Sequence, residues 1–190
     1  MCGIAGLLYR RLDQIPDNID DILSDMTGSL RHRGPDNQGV WKDDHAPLVM
    51  GHRRLSIIDL SYHGHQPMVS NSGRYILSYN GEIYNYQEIR AELDNLRIRL
   101  DGRSDTEVLL EAIDKWGPSN VLQKINGMFA FALWDRHDKK LFLARDRLGK
   151  KPLYFGWVDD QYVAFASELK ALRSLEDFEP EMDRDVLSQY

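Results

Sequence analysis

The only cysteine of the 190-residue chain, Cys2, stands directly after the initiator methionine. Two readings are open for it. It is a small apolar side chain suited to opening a strand, or, once Met1 is cleaved, it is a terminal residue carrying a thiol and a free α-amine on one carbon framework. A thiol titrates near about 8.5 and an α-amine near about 7.7–8.0. The amine is therefore neutral in a usable fraction near neutrality and can take the thiol proton, directly or through one water. Nucleophile and base then share one residue, with no need of His or Asp. Position alone does not decide between the two. Of the six histidines, His63-Gly64-His65 has the spacing of a ligand pair but no companion Cys and no His-x-x-x-His repeat, which argues against a metal site. A Ser-His-Asp triad lacks the Gly-x-Ser-x-Gly elbow that would support it. Neither a Gly-x-x-x-x-Gly-Lys-[Ser/Thr] loop nor a Ser-Gly-Gly-x-Asp-Ser loop occurs, so no ATP-dependent step is ascribed to this chain.

Composition narrows the classes further. Lys and Arg number 24 against 30 Asp and Glu, a formal charge of −6, and this argues against a phosphate-backbone binder. The clusters Arg31-His32-Arg33 and Arg145-Asp146-Arg147 each adjoin an acid and are not read as nucleic-acid contacts. No apolar run is long enough to span a bilayer. The N-terminus has no cationic segment and meets Arg10-Arg11 early, so no signal peptide is expected. One cysteine excludes an internal disulfide and a Cys-rich zinc site. A cytoplasmic protein with neither nucleic-acid nor membrane partner is the expectation.

The elements that must position these residues read as mixed. Gly3 to Tyr9 is a short apolar strand. Asp17 or Asn18 caps a helix with Ile19, Ile22, Leu23, Met26 and Leu30 on one face, and Gly34-Pro35 ends it. Strand-like pieces follow at Gln38 to Trp41 and Leu48 to Ile58, then a loop over Ser61 to Gly73. Arg74 to Tyr79 alternates as a strand, and Asn80-Gly81 behind it predicts a tight hairpin turn. Tyr86 to Leu96 reads as a helix. Ser104-Asp105-Thr106-Glu107 is a capping box that opens another, with Val108, Leu109, Ala112, Ile113 and Trp116 as its buried stripe and Gly117-Pro118 as its stop. Met128 to Trp134, Lys140 to Arg145, Leu153 to Trp157 and Tyr162 to Ala166 are short strands at hairpin spacing, followed by a helical turn at Glu168 to Arg173. Trp41, Trp116, Trp134 and Trp157 read as core. Such a mixture points to an α+β fold with largely antiparallel sheets. Asp183 resembles an N-cap, so 179–190 is expected to begin a linker or helix leading to a further domain.

A set of segments in register carries a resemblance. Cys2-Gly3-Ile4-Ala5-Gly6, Arg31-His32-Arg33-Gly34-Pro35-Asp36, Gly51-His52-Arg53-Arg54-Leu55-Ser56-Ile57-Ile58-Asp59, Gln66-Pro67-Met68, Tyr79-Asn80-Gly81-Glu82-Ile83-Tyr84-Asn85 and Ser104-Asp105-Thr106-Glu107 come in that order. Gly127-Met128-Phe129-Ala130-Phe131-Ala132-Leu133-Trp134-Asp135, Ala144-Arg145-Asp146-Arg147-Leu148-Gly149-Lys150-Lys151-Pro152-Leu153-Tyr154 and Ala166-Ser167-Glu168-Leu169-Lys170-Ala171-Leu172 continue it. Over residues 2 to 175 the chain resembles class II glutamine amidotransferases, in particular the glutaminase domain of glutamine-hydrolysing asparagine synthetases. A phosphoribosyl- or hexose-phosphate amidotransferase stays open within the same superfamily.

The resemblance implies an N-terminal-nucleophile hydrolase fold, a four-layer αββα sandwich with two mostly antiparallel sheets. It implies a glutaminase domain over 1–178 and a missing ATP- and Mg-dependent synthetase domain beyond 179–190, with no cofactor for the glutaminase part itself. L-glutamine, that synthetase domain and a second copy of the chain are the implied partners. Cys2 would attack the side-chain amide of glutamine, with the Asn80 side chain and Gly81 N–H stabilising the oxyanion. Arg54 would take the substrate carboxylate through its forked guanidinium, and Leu55, Ser56, Ile57 and Ile58 would frame the substrate through backbone groups. Glu82 and Asp105 would take the ammonium, although Asp105 is also a first-turn acid that complements a helix dipole, and Arg53 is read as a packing residue. The rival reading from another class is a catalytically silent docking module that retains Met1.

Overall fold

The computed structural model describes residues 1–178 apart from Asp44 and Ile58, so the expected helix start within 179–190 lies outside the described residues. The strands are β1 Gly3–Tyr9, β2 Asn37–Lys42, β3 Leu48–Arg54, β4 Met68–Val69, β5 Tyr75–Ile83, β6 Gly127–Asp135, β7 Lys140–Arg145, β8 Tyr154–Val158 and β9 Tyr162–Ala166. The helices are α1 Ile19–Ser29, α2 Tyr86–Asn95, α3 Asp105–Trp116, α4 Pro118–Lys124 and α5 Leu169–Leu172.

Two sheets form, ordered β2-β3-β1-β9-β8 and β4-β5-β6-β7, and every strand pair is antiparallel. The two-residue period of a strand assigns their faces. In β5 and β6, Leu77, Tyr79, Phe129, Phe131 and Leu133 pack with Ile89, Leu93, Val108, Ile113 and Val121 from α2, α3 and α4. The alternate residues Ile76, Ala132 and Trp134 pack instead with Leu48, Met50 and Phe165 between the sheets. On the far side, Ala5, Leu7 and Ala164 meet Leu23 and Met26 of α1 and Ala171 of α5. The order of layers is thus α1/α5, sheet, sheet, α2/α3/α4. Inner strands covered on both faces read as near-continuous apolar runs, which is why β1 and β6 stood out in the sequence.

Three expectations need correction and one is extended. Asn80-Gly81 is not a turn: both residues lie inside β5, opposite Ala130 and Phe129 of β6, and Gly81 takes no positive φ. The glycine is called for by closeness, since a Cβ there would meet the Met128 carbonyl oxygen at 2.5 Å. The capping box is half formed. Ser104 Oγ accepts from Glu107 N at 3.2 Å, but the Glu107 carboxylate turns upstream to the backbone N–H groups of Asp101 and Gly102, at 2.7 and 2.8 Å. Gly117-Pro118 ends α3 as expected yet also starts α4, with Pro118 where a helix has no use for an N–H. Trp157 is not core. It is 57% exposed on β8, the outer strand of its sheet, with the Arg10 guanidinium 4.8 Å from its ring centroid.

Candidate active site

The antiparallel register Gly3↔Arg53 brings the N-terminal end of β1 beside the C-terminal end of β3. Cys2 therefore lies against the segment that follows Arg54. Leu55 N–H points at Cys2 Sγ at 3.4 Å, and Sγ lies 3.7 Å from the Leu55 carbonyl. The backbone around the sulfur is held from two sides. Arg33 Nε donates to the Cys2 carbonyl at 2.9 Å, and Ile4 N–H donates to Ser167 Oγ at 3.0 Å. Burial pushes the thiol above its ordinary range, while the Leu55 N–H and the Arg54 charge act the other way. The Met1 α-amine, the terminus in this structure, moves down through burial and then the charges of Arg33 and Lys151.

Across the gap between the sheets runs the free edge of β5. β4 is two residues long and pairs only with Leu77 and Ile76, so among the described residues no strand covers that edge beyond residue 77. At Tyr79 and Ile83 its outward backbone groups find side chains instead. Tyr79 N–H donates to Gln66 Oε1 at 2.6 Å, His52 Nε2 donates to the Tyr79 carbonyl at 3.0 Å, and Ile83 N–H donates to Asp105 Oδ2 at 3.0 Å. In an antiparallel ladder alternate residues point their N–H groups to opposite sides. Gly81, between Tyr79 and Ile83, accordingly turns its N–H outward from β6, toward the cavity it lines. Asn80 is 1% exposed and its Nδ2 has no hydrogen-bond partner among the described residues. An unpaired buried donor costs about 1–3 kcal/mol, and this one belongs to a residue on the wall of the cavity.

Cys2, Arg54, Leu55, Ile57, Asn80, Gly81, Glu82 and Asp105 line one cavity of about 280 Å³. Of the remaining site residues of the sequence reading, Ser56 is not among its lining. Ser56 gives its N–H to Asp36 Oδ2 at 2.8 Å, and Ile58 lies outside the described residues. The Arg54 guanidinium is buried, with Nη1 donating to the Ser61 carbonyl at 2.9 Å and Nη2 to the Asp59 carbonyl, which leaves other N–H groups for a ligand. Gly64 lies flat against it: a Cβ there would sit 1.9 Å from Nη2. Asp105 uses one oxygen for Ile83 N–H and the Tyr79 hydroxyl (2.8 Å), and burial raises its pKa before those bonds pull it back. Glu82 stays exposed at the rim. Arg53 packs on α1, with Nε donating to the Thr27 carbonyl at 3.2 Å. No group of three or more His, Cys, Asp or Glu side chains able to hold a metal occurs among the described residues.

Sequence reasoning missed several residues of the wall: Gln66, Tyr79, Ser104, Thr106, Met128 and Lys151. The turn from Asp146 to Lys151 is drawn tight because the Asp146 carboxylate accepts four backbone N–H groups, from Phe129, Leu148, Lys150 and Lys151. That turn delivers the Lys151 side chain, 6% exposed, to the cavity. Arg33, set aside as part of a charge cluster, is buried and pins the carbonyl of Cys2.

Comparison with known proteins gives one consistent picture. A family model described as a glutamine amidotransferase domain matches residues 1–190. The chain is 40% identical over its whole length to asparagine synthetase [glutamine-hydrolyzing] 1 of Bacillus subtilis, covering 29% of that protein. It is 38% identical over 90% of its length to asparagine synthetase B of Escherichia coli, covering 30% of it. With a putative asparagine synthetase of Mycobacterium bovis the identity is 44%, over the whole chain and 31% of the relative. The chain thus spans under a third of the length of these relatives. Among solved structures, the glutamine phosphoribosylpyrophosphate amidotransferase of Bacillus subtilis superposes with a TM-score of 0.73 over 91% of this chain and 43% of its own, at 24% identity. That likeness carries the fold.

Proposed function

From the premise that this chain belongs to the class II glutamine amidotransferases, related to the N-terminal part of glutamine-hydrolysing asparagine synthetases, we propose that it hydrolyses L-glutamine to L-glutamate and ammonia through a thioester on Cys2. Removal of Met1 turns the Cys2 nitrogen from an amide into an amine with a basic lone pair. That amine takes the Sγ proton, and the sulfur attacks the side-chain amide carbon. The C=O π pair moves onto oxygen, where Asn80 Nδ2 and Gly81 N–H are available as donors. Collapse breaks the C–N bond, and the leaving nitrogen takes the proton and departs as ammonia. Water then adds to the thioester carbon, the C–S bond breaks, and glutamate leaves with the thiol restored.

The single observation that supports this most is the buried, unpartnered Asn80 Nδ2 on the wall of the cavity that Cys2 also lines. Recognition follows from charge. The spare N–H groups of Arg54 suit the α-carboxylate, and the free oxygen of Asp105, with Glu82 at the rim, suits the α-ammonium. In this reading residues 1–178 are the glutaminase domain and 179–190 lead to a synthetase domain that consumes the ammonia in ATP-dependent amidation of aspartate.

The test pairs intact-mass measurement with a glutaminase assay. A chain lacking Met1 that releases glutamate, and a Cys2→Ala variant that folds but does not, support the reading. A processed chain inert toward glutamine favours the docking module.

A further inference from the structure

Among the groups that turnover as written above does not use, His52 and Gln66 share one target. Both bind the backbone of Tyr79, the residue before Asn80. They come from different elements, His52 from β3 in the opposite sheet and Gln66 from the loop before β4. Both are almost fully buried, at 1% and 4% exposure. The Tyr79 side chain is fastened too, its hydroxyl donating to Asp105. Resting on the glutaminase reading, we propose that His52 and Gln66 are positioning residues: together they take the place of the missing strand on the free edge of β5 and hold Asn80 Nδ2 and Gly81 N–H at the oxyanion.

The need for such a clamp follows from the topology. An inner strand is fixed by ladders on both sides, but among the described residues β5 has only β6 beyond Leu77. An oxyanion donor acts through a placement good to a fraction of an ångström, and one ladder leaves the strand free to tilt away from its partner. Two short hydrogen bonds at Tyr79, one to its carbonyl and one to its N–H, close both outward backbone groups at the position next to the donors. Gln66 is itself seated against β2, where a Cβ on Gly39 would lie 1.8 Å from the Gln66 carbonyl oxygen. His52 is suited to this work and not to proton transfer. A carbonyl only accepts, so Nε2 carries the hydrogen, and burial holds the ring pKa at about 3, keeping it neutral at working pH.

The experiment uses the processed full-length enzyme, with kcat and KM for glutamine measured alongside melting temperature. His52→Leu and Gln66→Met each remove one bond at similar volume, while His52→Gln keeps an N–H where Nε2 stood. The expected result is a kcat about 10- to 100-fold lower for His52→Leu and Gln66→Met with KM within about threefold, and recovery to within about threefold of the parent kcat for His52→Gln. A folded His52→Leu enzyme with the parent kcat, or a His52→Gln enzyme no better than His52→Leu, overturns the clamp. Should His52→Leu not fold, Gln66→Met carries the same decision. If the parent enzyme releases no glutamate, the glutaminase reading fails by itself, and hydrogen exchange at the Tyr79 amide still judges the clamp. Protection in the parent and its loss in Gln66→Met support it; equal exchange overturns it.

Discussion

Arg33 Nε donates to the carbonyl of Cys2 at 2.9 Å, while Nη1 of the same guanidinium meets Glu168 Oε1 at 2.7 Å. One planar fork thus ties the residue that bears the sulfur to the entry of α5. His32 reaches the same carboxylate oxygen at 3.0 Å. Arg33→Met should lower kcat/KM by about tenfold or more by loosening Cys2, and Arg33→Lys should recover little of it, because an ammonium cannot span both partners. Steady-state kinetics on both variants checks this.

The same carboxylate has a pH signature. Burial works to raise the Glu168 pKa, but Arg33, His32 and Lys170 overcome it and hold the group at about 2. A folded-state pKa below the unfolded value contributes stability that is present above the unfolded pKa and lost as pH falls toward the folded one. Glu168→Gln should therefore reduce stability at neutral pH and flatten its decline between about pH 4.5 and 2. Melting temperature across that window is the measurement, and an unchanged slope would contradict it.

Glu111 behaves in the opposite sense. It is 4% exposed, accepts Asn71 N–H at 2.8 Å, and burial, with Asp114 and Glu107 nearby, raises its pKa to about 7. Ionising it in the folded state costs free energy, so this contribution to stability is lost as pH climbs through the range from the unfolded value to about 7. Glu111→Gln keeps an acceptor for Asn71 and should stabilise the protein by about 1–2 kcal/mol at pH 8, with a smaller gain at pH 5. Denaturant titrations at the two pH values decide it.

Asn80 separates activity from stability. Asn80→Ala removes one oxyanion donor and should reduce kcat by about 10²–10³-fold. It also removes an unpaired buried amide, which offsets the packing lost, so stability should stay within about 1 kcal/mol of the parent. A variant that loses activity only because it unfolds would refute the assignment.

Gly64→Ala should act on substrate affinity. A methyl there would collide with the Arg54 guanidinium, 1.9 Å from Nη2. Displacing that fork should raise KM for glutamine by about tenfold, with a smaller effect on kcat. An unchanged KM would argue that Arg54 does not hold the carboxylate.

How much of this was legible beforehand varies by residue. The near-continuous apolar runs of β1 and β6 and the 3.6-residue stripes of α1 and α3 are local properties, so they could be read from side-chain order alone. Cys2 stood out as a candidate by type and position, and Arg54, Asn80, Gly81 and Asp105 through the resemblance their segments carry; the structure brings all five to one cavity. Asn80-Gly81 misled, because the same dipeptide serves a tight turn or a strand whose neighbour comes within 2.5 Å of a would-be Cβ, and only the register with β6 tells them apart.

The amino-acid order by itself therefore determined the main helices and strands and marked part of the cavity lining, while the pairing into two sheets was an expectation carried by the resemblance. Tertiary structure alone decided that β4 stops at Val69, that this leaves the edge of β5 open, and that His52 and Gln66 close it. It also decided that a turn knotted around Asp146 carries Lys151 into the cavity. The reason is physical: periodicity records which face of an element is buried, whereas a free edge or a converging side chain depends on which distant segment lies opposite, and no local pattern contains that.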